Sequence, residues 1–151
     1  MKKQLNNTEV KELDEKLIKR YPTMKALTPG DRFAQEDGML FINNNPCFFV
    51  YQQRYVPTLA FLLEQQLLKT ISVDKGAIPF IIKGADIMRP GITRITPEIK
   101  KDEIIAVVDE TYQKPLAVGI ALLDAEEMQQ AAKGKVVKNI HYVGDKIGGD
   151  S

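Results

Sequence analysis

The sequence predicts an α+β chain in two parts, and three observations carry that expectation. An amphipathic helical stretch near the start gives way to short strands. A second series of β-rich segments opens near Ile71. Only short helical segments interrupt those later strands. The expected parts are a small α+β domain over residues 1–70 and a barrel-like, strand-rich domain with short helices over residues 71–151.

The first helix is read over residues 8–21. Val10, Leu13, Leu17, Ile18 and Tyr21 recur on one face, Glu12–Lys16 and Glu15–Lys19 pair outward, and Pro22 forces a stop. Asn6, Asn7 or Thr8 can cap it. Pro29-Gly30-Asp31 marks a turn. Met39–Ile42 and Cys47–Gln52 read as a hairpin joined by Asn43-Asn44-Asn45-Pro46. Residues 57–68 read as a helix opened by Pro57 at its first position.

In the second part, Ile71-Ser72-Val73 closes a strand. Asp74 is placed to cap a short helix by accepting a backbone N–H near Ala77, with Ile78, Phe80, Ile81 and Ile82 as its apolar body and Gly84 as its stop. Pro79 falls inside that helix, so the helix must start late or bend. Strands follow at Ile92–Ile95, Ile104–Asp109 and Pro115–Leu123, with a turn at Thr111–Lys114. Asp124 and Glu127 form a capping-box pair opening a helix that packs through Ala125, Met128, Ala131 and Ala132 and ends at Gly134. Val136–Val143 alternates as a last strand, with Val137, Asn139 and His141 on one side and Lys138, Ile140 and Tyr142 on the other. Gly144–Ser151 reads as a flexible tail.

Composition narrows the function classes. The net charge is +1, so no global basic field advertises nucleic acid. The charge is segregated, however. Residues 131–143 hold Lys133, Lys135 and Lys138 and no acid, while acids gather at Glu9–Glu15, Glu98–Glu103 and Asp124–Glu127. The single cysteine, Cys47, excludes an internal disulfide, and one His with one Cys cannot build a structural zinc site. In the apolar strand around Cys47 the thiol reads as buried and inert. The N-terminus has no apolar signal core, and Glu64, Gln65 and Gln66 break the longest apolar run, so a cytoplasmic protein is expected.

Residues 73–92 are the most informative stretch. Lys83, Arg89 and Arg94 face only Asp86 locally, and Gly84 and Gly91 leave backbone open to close approach. The segments VDKGA, KGADIMRPGI and KNIHYV resemble the PUA domain, the RNA-binding module of pseudouridine synthases and archaeosine transglycosylase. With Pro57-Thr58-Leu59, Val73–Ile78 and Asn139–Tyr142, the chain resembles one branch more closely: the malignant-T-cell-amplified and archaeal stand-alone PUA proteins, whose plan the N-terminal part of ligatin shares. Those relatives carry a pre-PUA domain followed by PUA. About the first 35 residues match only loosely.

The resemblance implies an RNA groove. One wall would hold Lys83, Gly84, Ala85 and Asp86, followed by Met88, Arg89, Pro90 and Gly91; Lys138, Asn139 and His141 would lie near the other. Lys83, Arg89 and Lys138 would hold phosphates, Gly84 and Ala85 would let RNA backbone come close, and Asp86 would accept from an exocyclic amine or a 2′-OH. Met88 would stack on a base or fill the core. Each residue also has a structural use: Gly84 as a helix stop, Asp86 as a turn former, Arg89 and Lys138 as solvated charges. With no tryptophan and 7% aromatics, a broad stacking platform is not expected.

No catalytic constellation is visible. His141 is the sole histidine, no nucleophile elbow, Walker loop or Gly-x-Gly-x-x-Gly occurs, and capping explains the Glu126-Glu127 pair. The expectation is a non-catalytic, RNA-binding protein of translation, acting near the small ribosomal subunit or on tRNA, with no cofactor, metal or membrane. A translation-factor or ribosomal-protein partner would use residues 1–70, where Tyr51, Arg54 and Tyr55 cluster. The alternatives are a protein-interaction adaptor that barely touches RNA, or an RNA-binding subunit acting in trans for an RNA-modifying enzyme.

Overall fold

A computed structural model describes residues 2–25 and 30–147. Pro29 of the expected turn and residues 148–151 of the expected tail lie outside the described residues. The chain divides into two compact units, one running to Leu67 and the other from Leu68 to Lys146.

In the first unit a short strand β1 (Lys3–Gln4) precedes helix α1 (Asn7–Arg20). Asn6 caps the helix: its side chain accepts the Glu9 N–H at 2.8 Å, and the Glu9 carboxylate accepts the Asn6 N–H at 3.0 Å. Leu13 and Leu17 are buried, and Tyr21, just past the helix, stacks on Phe48 and donates its hydroxyl to the Tyr55 carbonyl. A meander comes next: β2 (Phe33–Glu36), β3 (Met39–Ile42), β4 (Asn45–Tyr51) and β5 (Arg54–Pro57), in sheet order β1-β2-β3-β4-β5. All three hairpins turn through two residues with positive φ: Asp37-Gly38, Asn43-Asn44 and Gln52-Gln53. Such turns match the right-handed twist of the strands they join. Helix α2 (Leu59–Glu64) is shorter than expected. Thr58 caps it by accepting the Phe61 N–H at 3.1 Å, while Pro57 ends β5 instead of opening the helix.

The second unit runs β6 (Thr70–Val73), α3 (Ile78–Ile81), β7 (Ile87–Met88), a 3₁₀ turn at Arg89–Gly91, β8 (Ile92–Ile95), β9 (Ile104–Asp109), β10 (Pro115–Ala121), α4 (Ala125–Gln130) and β11 (Lys135–Tyr142). Its six strands are ordered β7-β11-β10-β9-β6-β8, with only the β6–β9 pair parallel. The two edge strands, β7 and β8, are consecutive and joined by the three-residue turn, so the sheet curls nearly closed. Ile71, Val73, Ile81, Ile87, Ile105, Val107, Met128 and Val137 fill its core. Every residue of β9 and β10 is buried, as their near-continuous apolar sequences require.

Two irregularities decide which way the side chains of β11 face. Lys135 and Val137 lie opposite Met88 and Ile87 of β7 with a shift between them, and Asn139 and His141 lie opposite the adjacent residues Gly119 and Val118 of β10. Simple alternation across β11 therefore fails: the second shift sends Asn139 and His141 to opposite faces, whereas the sequence pattern put them on one.

Candidate nucleic-acid interface

Helix α3 has little length but well-defined ends. The Asp74 carboxylate accepts the Ala77 N–H at 2.9 Å, and Pro79 falls in the first turn, where its missing N–H costs little. At the other end the Gly84 N–H donates to Ile81 and the Ala85 N–H to Phe80, each at 3.0 Å, with Gly84 at φ +98°. This is the paired pattern that closes a helix on a left-handed residue. A Cβ on Gly84 would sit 3.0 Å from the Tyr142 ring, so the glycine also lets β11 approach. The apolar body expected for this helix is only partly buried. Ile81 is in the core, but Phe80 is 67% exposed and Ile82 is also exposed.

Asn139 ties this helix end to β11. Its amide donates to the Ile81 and Ala85 carbonyls at 3.1 and 3.0 Å, and its main-chain N–H donates to Asp86 at 2.8 Å. Asp86 also pairs with Lys135 at 2.8 Å. Burial pushes the Asp86 carboxyl up, but the Lys135 ammonium and the Asn139 N–H outweigh it and hold the group below its ordinary value. Asp86 is thus engaged within the chain, with Asn139 and Lys135 as partners. Lys83, Gly84, Ala85, Asp86, Lys138 and Asn139 do come together here, with the ammonium-bearing side chains of Lys83 and Lys138 exposed. Met88, opposite Lys135, is 49% exposed, which sets aside the core-filling alternative.

The other expected residues are placed differently. Arg89 donates through Nε to the Met128 carbonyl at 2.6 Å and through Nη1 to the Ile92 carbonyl at 3.2 Å, so its guanidinium clamps α4 to the start of β8. Pro90 is exposed in the 3₁₀ turn. Gly91 permits close approach, but of the chain itself: an added Cβ would lie 3.0 Å from the Ala77 Cβ, and the Gly91 carbonyl accepts the Asp74 N–H. His141 is 3% exposed and bonds through Nδ1 to the Asp145 carboxylate at 2.8 Å. Burial lowers the His141 pKa, against the opposing pull of Asp145. Cys47 is buried as expected, and burial raises its thiol to about 11. Among the described residues no group of His, Cys, Asp and Glu is arranged to hold a metal, and no helix is long and apolar enough to cross a membrane.

The nearly closed sheet, with its glycine-ended helix against the last strand, defines a PUA domain, and the PUA domain family matches residues 69–143. A protein of Methanocaldococcus jannaschii is 46% identical over 72% of this chain and 68% of its own length. Human malignant T-cell-amplified sequence 2 is 30% identical over 95% of this chain and 88% of its own. Translation machinery-associated protein 20 of Schizosaccharomyces pombe is 28% identical over 87% and 82%. Among solved structures, a hypothetical protein from Pyrococcus horikoshii superposes with TM-score 0.80 at 32% identity, covering 97% of both chains. A conserved PUA domain protein from Thermoplasma acidophilum gives 0.81 at 27% identity, covering 98% of this chain and 97% of its own. The chain belongs to the family of PUA-domain proteins that includes the malignant T-cell-amplified sequences.

Proposed function

We propose that this chain binds RNA through the face where the end of α3 meets β11, and that it works with the translation machinery. The observation that carries the reading is the convergence at Asn139, which holds the Gly84 turn against β11 and leaves Lys83 and Lys138 exposed beside Phe80, Ile82 and Met88. Two exposed cations, with exposed apolar side chains on the neighbouring segments, suit a phosphate backbone and a few unstacked bases. Arg89 and His141 are anchors of the fold in this reading, and Asp86 orders β11. The RNA is a tRNA or the RNA of the small ribosomal subunit, consistent with a relative named for the translation machinery. The N-terminal residues 1–70 form a pre-PUA domain that meets a protein partner through the neighbourhood of Tyr51, Arg54 and Tyr55. The chain is a cytoplasmic binding protein, not an enzyme: its one histidine is buried against Asp145.

Salt dependence tests this. Two or three phosphate contacts give a log–log slope of about −1.5 to −3, and replacing Lys83 and Lys138 together by alanine makes it less negative by roughly 1.5. A second reading, a protein adaptor, draws on the exposed Phe80 and Ile82 and the near-zero net charge. No RNA binding at low salt, or a flat slope, overturns the RNA reading in its favour.

A further inference from the structure

The second unit has an opening that the lysine-flanked face does not use. A cleft of about 430 Å³ is lined by Val73, Lys75, Ile78, Asp109, Glu110, Tyr112 and Leu116, among others, so an exposed carboxylate shares its edge with the Lys75 ammonium. Its floor is apolar, with Val73 and Leu116 buried, and Lys75 stands exposed at the rim. One wall is the turn after β9, and that turn is held firmly. The Asp109 carboxylate accepts the N–H groups of Tyr112 and Lys114, and the Gln113 amide donates to the Ser72 hydroxyl at 3.3 Å and the Asp109 carbonyl at 3.2 Å. Yet Tyr112, carried on this fixed turn, is 84% exposed. An exposed ring on a hydrogen-bonded turn gains by being covered, and tyrosine, with only two χ angles, loses little conformational freedom when it is. The cleft also adjoins the proposed interface through α3. Ile78, which opens α3, lines the cleft, and Lys83 lies two residues past the end of the same one-turn helix. Exposed Phe80 lies between them.

We propose that this cleft is a nucleobase pocket, in which Tyr112 stacks on an unstacked base of the bound RNA and Lys75 takes a neighbouring phosphate. The volume suits one nucleotide, with an apolar slot, an aromatic lip and a cation at the rim. This rests on the RNA reading above, and it adds a contact distinct from the α3–β11 face.

The test uses the full chain and a fluorescein-labelled, mixed-sequence single-stranded RNA of about 12 nucleotides, within the usual span of single-strand sites. Tyr112→Ala should weaken binding by about 5- to 100-fold without changing the salt slope, because stacking releases no counterions. Tyr112→Phe should bind as the parent does, and both should keep the parent melting temperature. If Tyr112→Ala binds like the parent while the Lys83 and Lys138 replacement weakens binding, the pocket is refuted and the RNA reading stands. If Tyr112→Phe loses as much as Tyr112→Ala, stacking is refuted. If the parent fails to bind this RNA at low salt, the underlying reading falls and takes the pocket with it. Loss of a protein partner by Tyr112→Ala, with RNA affinity intact, would overturn the base pocket in favour of a protein contact.

Discussion

A side chain at Gly119 of β10 would run into β11, and replacing this glycine by alanine gives a sharp test of the packing that presents Lys138 and Asn139. An ideal Cβ at this position would lie 2.4 Å from Val137 Cγ1 and 2.7 Å from the Lys138 carbonyl oxygen. Carbon atoms pack best at about 3.5–4.0 Å, so the side-chain contact is short by more than about 1 Å. Val137 is fully buried and faces Ala121 and Ile87 across two strand pairs, which restricts its escape. The Lys138 oxygen belongs to the main chain and cannot swing aside, so the strands must part. Overpacking of this kind costs about 1–3 kcal/mol, and with a main-chain clash we expect the upper half of that range. For a unit of this size each kcal/mol lowers the Tm by roughly 4–8 °C. Thermal unfolding followed by circular dichroism would read this, together with the urea midpoint. Adding Val137→Ala should recover only part of the loss, because the carbonyl remains. A Gly119→Ala protein melting within about 1 °C of the parent would refute the close-approach argument.

Two further outcomes are expected from the anchors beside the interface. Arg89→Ala removes charge-assisted bonds to the Met128 and Ile92 carbonyls and should cost about 2 kcal/mol of stability by denaturant unfolding. Arg89→Lys, which cannot bridge both carbonyls with a planar fork, should restore little of it. Burial favours the neutral form of His141 in the folded chain, so the unfolded chain binds its proton more readily than the folded one. Its contribution is full above the unfolded value near 6.5 and is lost as pH falls from there toward the lower folded value. His141→Gln should flatten the stability profile across that window, and an unchanged profile would show that His141 does not set it.

Much of the local structure is legible in the sequence because its signals are local. The Asn6–Glu9 and Asp124–Glu127 boxes, the Asp74 cap and the Gly84 stop each depend on a few adjacent residues. Asp37-Gly38 is an equally local hairpin signal, yet neither it nor the β2 strand before it is among the expected elements. Gln52-Gln53 carries no such signal, because glutamine has no bias toward positive φ, and β5, apart from Pro57, falls in the gap between the expected strand and the expected helix. The surface residues are harder. Family resemblance implies that the ends of α3 and β11 converge, but a β-bulge decides which face His141 takes, and bulges leave no mark on alternation. Arg89 reads as a phosphate ligand because its carbonyl partners, Met128 and Ile92, are set by tertiary packing. Phe80 and Ile82 read as core for a related reason: a one-turn helix buries a single narrow stripe, and Ile81 occupies it.

Among the described residues, the brevity of β7 leaves the outer rim of β11 without a strand partner beyond Val137. Two acids stand in for the missing neighbour: Asp86 takes the N–H of Asn139 and Asp145 takes that of Tyr142, both at 2.8 Å. An incoming peptide could not extend the sheet there without evicting both carboxylates. The chain can therefore display an open rim while resisting edge-to-edge aggregation, and whatever docks on it must engage side chains and not the backbone ladder.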